Sequence, residues 1–230
     1  MNVNEKIKDI RRAATAASGA DASWMKTAAM AGLYFLIAFL MSAIRITGYA
    51  APFGAAAVAA AGPGLSGVCA LGGAILGYFA TGGLSWGVKY AAASVLVFTV
   101  RFVLQDLRVC NRTWFMPLCA ALVMALTGFL GSFSSGLEAW DNVLHIGVES
   151  LLAGAGTYFF REALSTEERS TESAEFRHEA AVAIFIGCAF AAVSGVEIFN
   201  VLSVGRIFAL MAVMTAALKG GIATGGAAGT

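Results

Sequence analysis

Long apolar runs, each bounded by charged or turn-forming residues, leave this chain few folds to choose from. They cover 27–44, 46–61, 65–81, 86–103, 115–132, 141–160, 180–198 and 202–218, and a further run begins at Gly220 and reaches Thr230. A helix crosses the ~30 Å hydrocarbon layer with about 20 apolar residues, in a working range of about 17–25. Backbone polar groups in lipid must be satisfied within the segment, which selects helices over irregular chain. The fold class this predicts is all-α: a polytopic transmembrane helix bundle of about eight full spans plus a truncated ninth. Only 13% of residues are charged and mean hydropathy is +0.78, whereas a soluble domain carries roughly a quarter charged residues.

The second run is the least secure, because it is short and Gly62, Pro63 and Gly64 leave only a tight turn before the third. A re-entrant hairpin is the alternative there. Charge placement argues for a crossing. With the N-terminus cytoplasmic, the inner segments hold Lys6, Lys8, Arg11, Arg12, Lys26, Arg101, Arg108, Arg112, Arg161, Arg169, Arg177 and Lys219, leaving Arg45, Lys89 and Arg206 outside or at span ends. That split obeys the positive-inside rule, and losing one early span would invert every later loop and spoil it. Arg45, Lys89 and Arg101 are expected to snorkel to the interface.

The domain boundaries that follow are a basic cytoplasmic arm at 1–26, helices one to six at 27–160, a charged cytoplasmic connector at 161–179, and helices seven to nine at 180–230. The arm either rests on anionic headgroups or is a frayed tail carrying positive-inside charge. The connector, REALSTEERSTESAEFRHE, favours helix and extends the sixth or seventh span, and Ser165 with Glu168 has capping-box spacing. GGIATGGAAGT, at the end, stops inside an apolar segment. A carboxylate in lipid is costly, so the expectation is an N-terminal piece of a longer protein.

Ionisable residues inside spans are the candidates for chemistry. Glu149 lies near the middle of the sixth span with His145 one turn earlier on the same face, a spacing that lets the two share a hydrogen bond or a proton. A polar clamp between helices accounts for the pair more simply than a relay does. Glu197 and Arg206 lie near the ends of the seventh and eighth spans and are placed to pair across the turn between them. Gly73 with Gly77, and Gly221, Gly225 and Gly229 with Ala217, form small-residue stripes for close helix packing, within one molecule or between copies. Cys69, Cys110, Cys119 and Cys188 have no metal or redox spacing and read as small apolar side chains. No metal set, nucleophile elbow, phosphate loop or other catalytic motif is present, so catalytic residues are none and the chain by itself is not assigned as an enzyme. A net charge of +1 predicts no nucleic-acid partner. The partner the sequence does predict is the lipid bilayer.

Several of these features occur in a telling order. A basic arm and first span lead into ITGYAAPFGAAAVAA, with Pro52, Phe53 and Gly54 in the second span. WDNVLHIGVESLLAGAGTYFF places Asp141 before a span with Glu149 inside it, and a charged connector leads to SGVE and finally KGGIATGGAAGT. In this the chain resembles, over nearly all its length, the multi-spanning N-terminal region of the stage II sporulation protein E family of endospore-forming bacteria. The resemblance implies about ten spans with both ends cytoplasmic, and a C-terminal manganese-dependent serine/threonine phosphatase domain of the PPM (PP2C-like) type. That phosphatase dephosphorylates an anti-anti-sigma factor, and the family is associated with the asymmetric division septum and the tubulin-like division protein. This chain ends before any phosphatase motif, so no metal-binding aspartates carry over and no cofactor is expected within it. The function expected on this basis is membrane anchoring and septum localisation of that phosphatase. The rival is a small-molecule transporter subunit, such as the substrate-binding component of a vitamin transporter, with a midplane site near Glu149.

Overall fold

A computed structural model of the chain describes residues 24–46, 49–135, 139–165, 172–194, 197–198 and 202–203. The helices among these residues are α1 (Trp24–Ser42), α2 (Phe53–Ala60), α3 (Leu65–Val103), α4 (Phe115–Ser135), α5 (Ala139–Ala163) and α6 (Glu172–Ser194), with a 3-10 turn at Arg108–Asn111. Two-residue antiparallel ladders close two turns: β1 (Arg45–Ile46) with β2 (Tyr49–Ala50), and β3 (Glu197–Ile198) with β4 (Leu202–Ser203). The arm before Trp24, Glu168, Arg206 and the stripe of Gly221, Gly225 and Gly229 lie outside the described residues, as do nearly all of the eighth span and the whole of the ninth.

Among the described residues, five helical segments are long and apolar enough to cross a membrane: Trp24–Ser42, Leu65–Gly83, Phe115–Ser132, Val143–Ala163 and Ser173–Val193. Their outer faces carry large apolar side chains, among them Leu36, Leu76, Leu126, Leu130 and Leu151, each more than half exposed. A belt of that kind is an aggregation liability in water and the solvated surface of a bundle in lipid. The molecule is a multi-pass helical membrane protein. α6 begins at Glu172, so the end of the charged connector is indeed helical and extends the seventh span. Ser165 donates to the Glu162 carbonyl at 2.9 Å and closes the last turn of α5.

α3 is a helical hairpin. Gly83 has φ 65° and ψ −172°, a backbone region open essentially to glycine alone. Tyr78 and Tyr90 stack at 5.1 Å between ring centroids, although twelve residues of straight helix would hold them ~18 Å apart. Gly67 and Phe98 face each other nearer the open end. The two limbs are therefore antiparallel and correspond to the third and fourth runs of the sequence. A side chain at position 83 meets nothing within 4 Å, so Gly83→Ala isolates the backbone term. It is expected to destabilise the purified protein by about 1–3 kcal/mol, read as a lowered melting temperature in detergent. A Gly83→Ala protein that melts with the parent refutes the turn.

The second run is not the full transmembrane helix expected of 46–61. α2 has eight residues, a length of ~12 Å against a ~30 Å core. Nevertheless the chain does return across the bundle here. Gly73 lies against Phe35, Gly77 against Phe39 and Ser42, and Thr81 donates to the Ser42 carbonyl at 3.4 Å. Numbers rise together on both helices, so α1 and the first limb of α3 run parallel and residues 43–64 must carry the chain back. A short helix can do this because every residue from Gly54 to Ala60 is buried in protein, where irregular backbone at membrane depth is tolerated. Apart from Phe53, whose ring packs on Phe160, the side chains of FGAAAVAA are small and permit that burial. The described residues thus hold a partial helix at this position, and the count of eight full spans plus a ninth is not reached.

α4 rises beside the hairpin and α5 descends against it, as the contacts of Gly128 with Ile146 and of Gly154 with Pro117 and Ala121 require. α6 then runs antiparallel to α5, with His178 Nδ1 2.9 Å from the Glu162 carbonyl oxygen. Phe53, Phe160 and Phe185 form a ladder of rings from α2 through α5 to α6, at 6.0 and 5.3 Å.

Candidate functional site

The polar centre of the bundle is built on Glu149, whose side chain is 5% exposed. It is presented by α5 toward the returning limb of α3, two turns beyond the Gly83 bend. Lys89 Nζ is 2.5 Å from Oε2. The Tyr90 hydroxyl donates to Oε1, and His145 Nε2, one turn back on α5, is 3.1 Å from the same oxygen. Both carboxylate oxygens are engaged by protein groups, Oε2 by the Lys89 ammonium. An ion pair in low dielectric needs such close geometry and additional hydrogen bonds to offset desolvation.

From this centre the polar contacts continue into α2. The Tyr90 ring stacks on Tyr78. The Tyr78 hydroxyl accepts from the Ala55 N–H at 3.1 Å and donates to the Ala51 carbonyl at 3.2 Å. The Ala55 N–H is one of the donors that the start of a helix leaves unpaired, and the same buried tyrosine also satisfies a carbonyl of the chain leading into α2. At the other end of α2, Arg101 donates to the Ala59 carbonyl. Tyr78, Tyr90 and Ser94 are completely buried, and Ser94 donates back to the Tyr90 carbonyl at 2.8 Å. One network therefore ties both limbs of α3, α5 and α2 together.

The structure brings His145 and Glu149 together as their spacing implies. Glu197 falls in β3, where it pairs in register with Ser203, and Arg206 lies outside the described residues. Gly73 and Gly77 sit at the crossing with α1. A Cβ at Gly73 would lie 2.2 Å from the Phe35 carbonyl oxygen, and one at Gly77 would lie 1.8 Å from Ser42 Oγ. Lys89 and Arg101 correct the sequence-based expectation that both snorkel. Lys89 turns inward to Glu149, and Arg101 reaches a backbone carbonyl. The signal for Lys89 was charge balance: a lone acid deep in one span requires a cation, and Lys89 is a basic residue inside the run 86–103. Tyr78 and Tyr90 gave no signal, since aromatics in an apolar run read as core.

Among the described residues no group of three or more His, Cys, Asp or Glu side chains could hold a metal ion, and Cys69, Cys110, Cys119 and Cys188 are free thiols. Chemically the arrangement is a closed, internally paired charge cluster that fixes helices against one another. No protein-family profile, no curated protein and no solved structure matches this chain.

Proposed function

We propose that this bundle is a membrane anchor: a rigid multi-pass module that confines an attached protein to one membrane and, through the resemblance to the stage II sporulation protein E family, places a sporulation serine/threonine phosphatase at the asymmetric septum. Tethering of this kind acts by raising the effective concentration of the attached domain near its targets. The observation that favours it is the engagement of both Glu149 oxygens by Lys89, Tyr90 and His145. A transporter subunit would need that acid for its substrate, whereas an anchor needs it only to lock helices. The manganese, the anti-anti-sigma substrate and the tubulin-like division partner belong to the family's longer protein. No described residue cluster suits the metal, and no catalytic step is assigned to this chain.

A fluorescent fusion of the chain, expressed in a sporulating endospore-former, is expected to concentrate at the asymmetric septum. Uniform labelling of the cell membrane would remove the septal part of the proposal. Glu149→Gln separates the anchor from the transporter: thermal stabilisation of the parent by a small molecule, lost in this variant, overturns the anchor.

Orientation has its own test. With a cytoplasmic N-terminus, a reporter inserted in 161–179 is expected inside the cell and one in 133–140 outside, since α5 crosses between them. Two reporters on one side, or the reverse assignment, sinks the proposed topology.

A further inference from the structure

Besides its central ion pair, the bundle has a second concentration of charge at the end where α1 begins. There the turn before α3, the end of α3, the 3-10 turn, the start of α4 and the end of α5 meet around a cavity of about 60 Å³, lined by Pro63, Arg101, Gln105, Cys110, Met116 and Arg161. That is several times the ~10–15 Å³ needed to hold one water, and it suits a small anion or head group. Among the described residues, two guanidinium groups line it and no carboxylate does. Asp106, in the same loop, is exposed and lies outside the lining.

Both arginines are held in position by backbone. Arg101 donates to Ala59 at the end of α2, and Arg161 Nη1 donates to the Arg112 carbonyl at 3.1 Å. Each lies in the last turn of its helix, the end at which a spanning helix meets lipid headgroups. A guanidinium carries five N–H donors in a planar fork suited to phosphate oxygens. An anion seated between two guanidinium groups is attracted by both and offsets their mutual repulsion, and basic pockets between helix ends are a recurrent means of binding anionic lipid heads. Arg108 and Arg112, both exposed at this end, add to the local positive potential.

We propose that this cavity is a phosphate site, with Arg101 and Arg161 as its cations and Gln105 as a neutral donor at its rim, and that its occupant is the head-group phosphate of an anionic phospholipid. The site stands independently of what the bundle anchors.

The test uses the whole chain, delipidated in neutral detergent, with melting followed against phosphatidylglycerol, phosphatidylcholine of the same acyl chains, and inorganic phosphate. Phosphatidylglycerol is expected to raise the melting temperature well above the effect of phosphatidylcholine. Stabilisation by phosphatidylglycerol alone assigns the site to lipid, while equal stabilisation by inorganic phosphate supports the anion site and overturns the lipid as its occupant. Gln105→Glu keeps both arginines and brings a negative charge to the rim. It is expected to weaken the phosphatidylglycerol effect roughly tenfold or more in midpoint concentration, the scale of a lost charge-assisted contact. Arg161→Gln is read in the same way, and Lys26→Gln, outside the lining, is expected to leave the midpoint unchanged. No preference for phosphatidylglycerol over phosphatidylcholine together with no effect of inorganic phosphate, or equal weakening by Lys26→Gln and Gln105→Glu, overturns the site.

Discussion

Replacing Lys89 by methionine is expected to destabilise the bundle by about 3–5 kcal/mol, the scale on which removing one partner of a buried ion pair strands the other. The carboxylate of Glu149 stays inside the protein, between α3 and α5, with its Oε2 contact gone. Tyr90 still donates to Oε1 and His145 Nε2 stays 3.1 Å from it, and a hydrogen bond does not replace the lysine's counter-charge in low dielectric. The measurement is the melting temperature of the purified protein in one detergent, together with the fraction recovered as a single species after solubilisation. Lys89→Met/Glu149→Gln, with neither charge left, is expected to regain most of the loss, since removing a whole buried pair is often nearly neutral. If Lys89→Met melts no lower than the parent, or the double variant is no better than the single, the ion pair contributes little and the account of the polar centre fails.

What that experiment probes was only half visible in the sequence. Glu149 and His145 share a helix, so their four-residue spacing announces their contact. Lys89 lies sixty residues from Glu149 in the chain, and its place near the start of a run made it look like an interfacial residue. Which way a lysine near a helix end turns depends on what lies across from it, and a single run does not contain that information. The spans themselves were legible for the opposite reason: crossing a bilayer is a requirement on length and apolarity, both local properties. Hence α1, both limbs of α3, α4, α5 and α6 correspond to runs in the sequence, with ends shifted by caps and by the helical character of the connector.

The second run shows where local information ends. An alanine-rich stretch has high helix propensity and little in its own residues to say that the helix should stop after eight. The limits come from elsewhere. The ladder of Arg45 with Ala50 turns the chain first, Tyr78 takes the early backbone groups from more than twenty residues away, and Arg101 takes a late one. The expected return of the chain between the first and third runs nevertheless holds despite this misjudged length. The charge asymmetry required a crossing between α1 and α3, and the parallel packing of those helices requires it too.

That parallel packing carries the second large effect. Membrane helices associate through close van der Waals contact, without the hydrophobic drive available in water, so the surfaces of α1 and α3 must fit. Gly73→Ala is expected to cost about 1–3 kcal/mol, typical of overpacking a fitted interface. The new Cβ would lie 2.2 Å from the carbonyl oxygen and 2.9 Å from the carbonyl carbon of Phe35, and backbone cannot swing aside as a side chain can. Gly72→Ala is the control one residue away. Its Cβ meets only the Phe35 ring, at 3.9 Å, so the gain in helix propensity should leave stability unchanged or slightly raised. At Gly77 the nearest atom is Ser42 Oγ, at 1.8 Å, with the Phe39 carbonyl oxygen next at 2.7 Å. Adding Ser42→Ala to Gly77→Ala should therefore recover part of the loss, whereas no side-chain change in α1 should rescue Gly73→Ala. Melting temperatures of these variants in a single detergent decide the matter. Equal behaviour of Gly72→Ala and Gly73→Ala would mean that α1 does not lie on this face of α3, and the parallel arrangement from which the crossing at 43–64 follows would have to be abandoned.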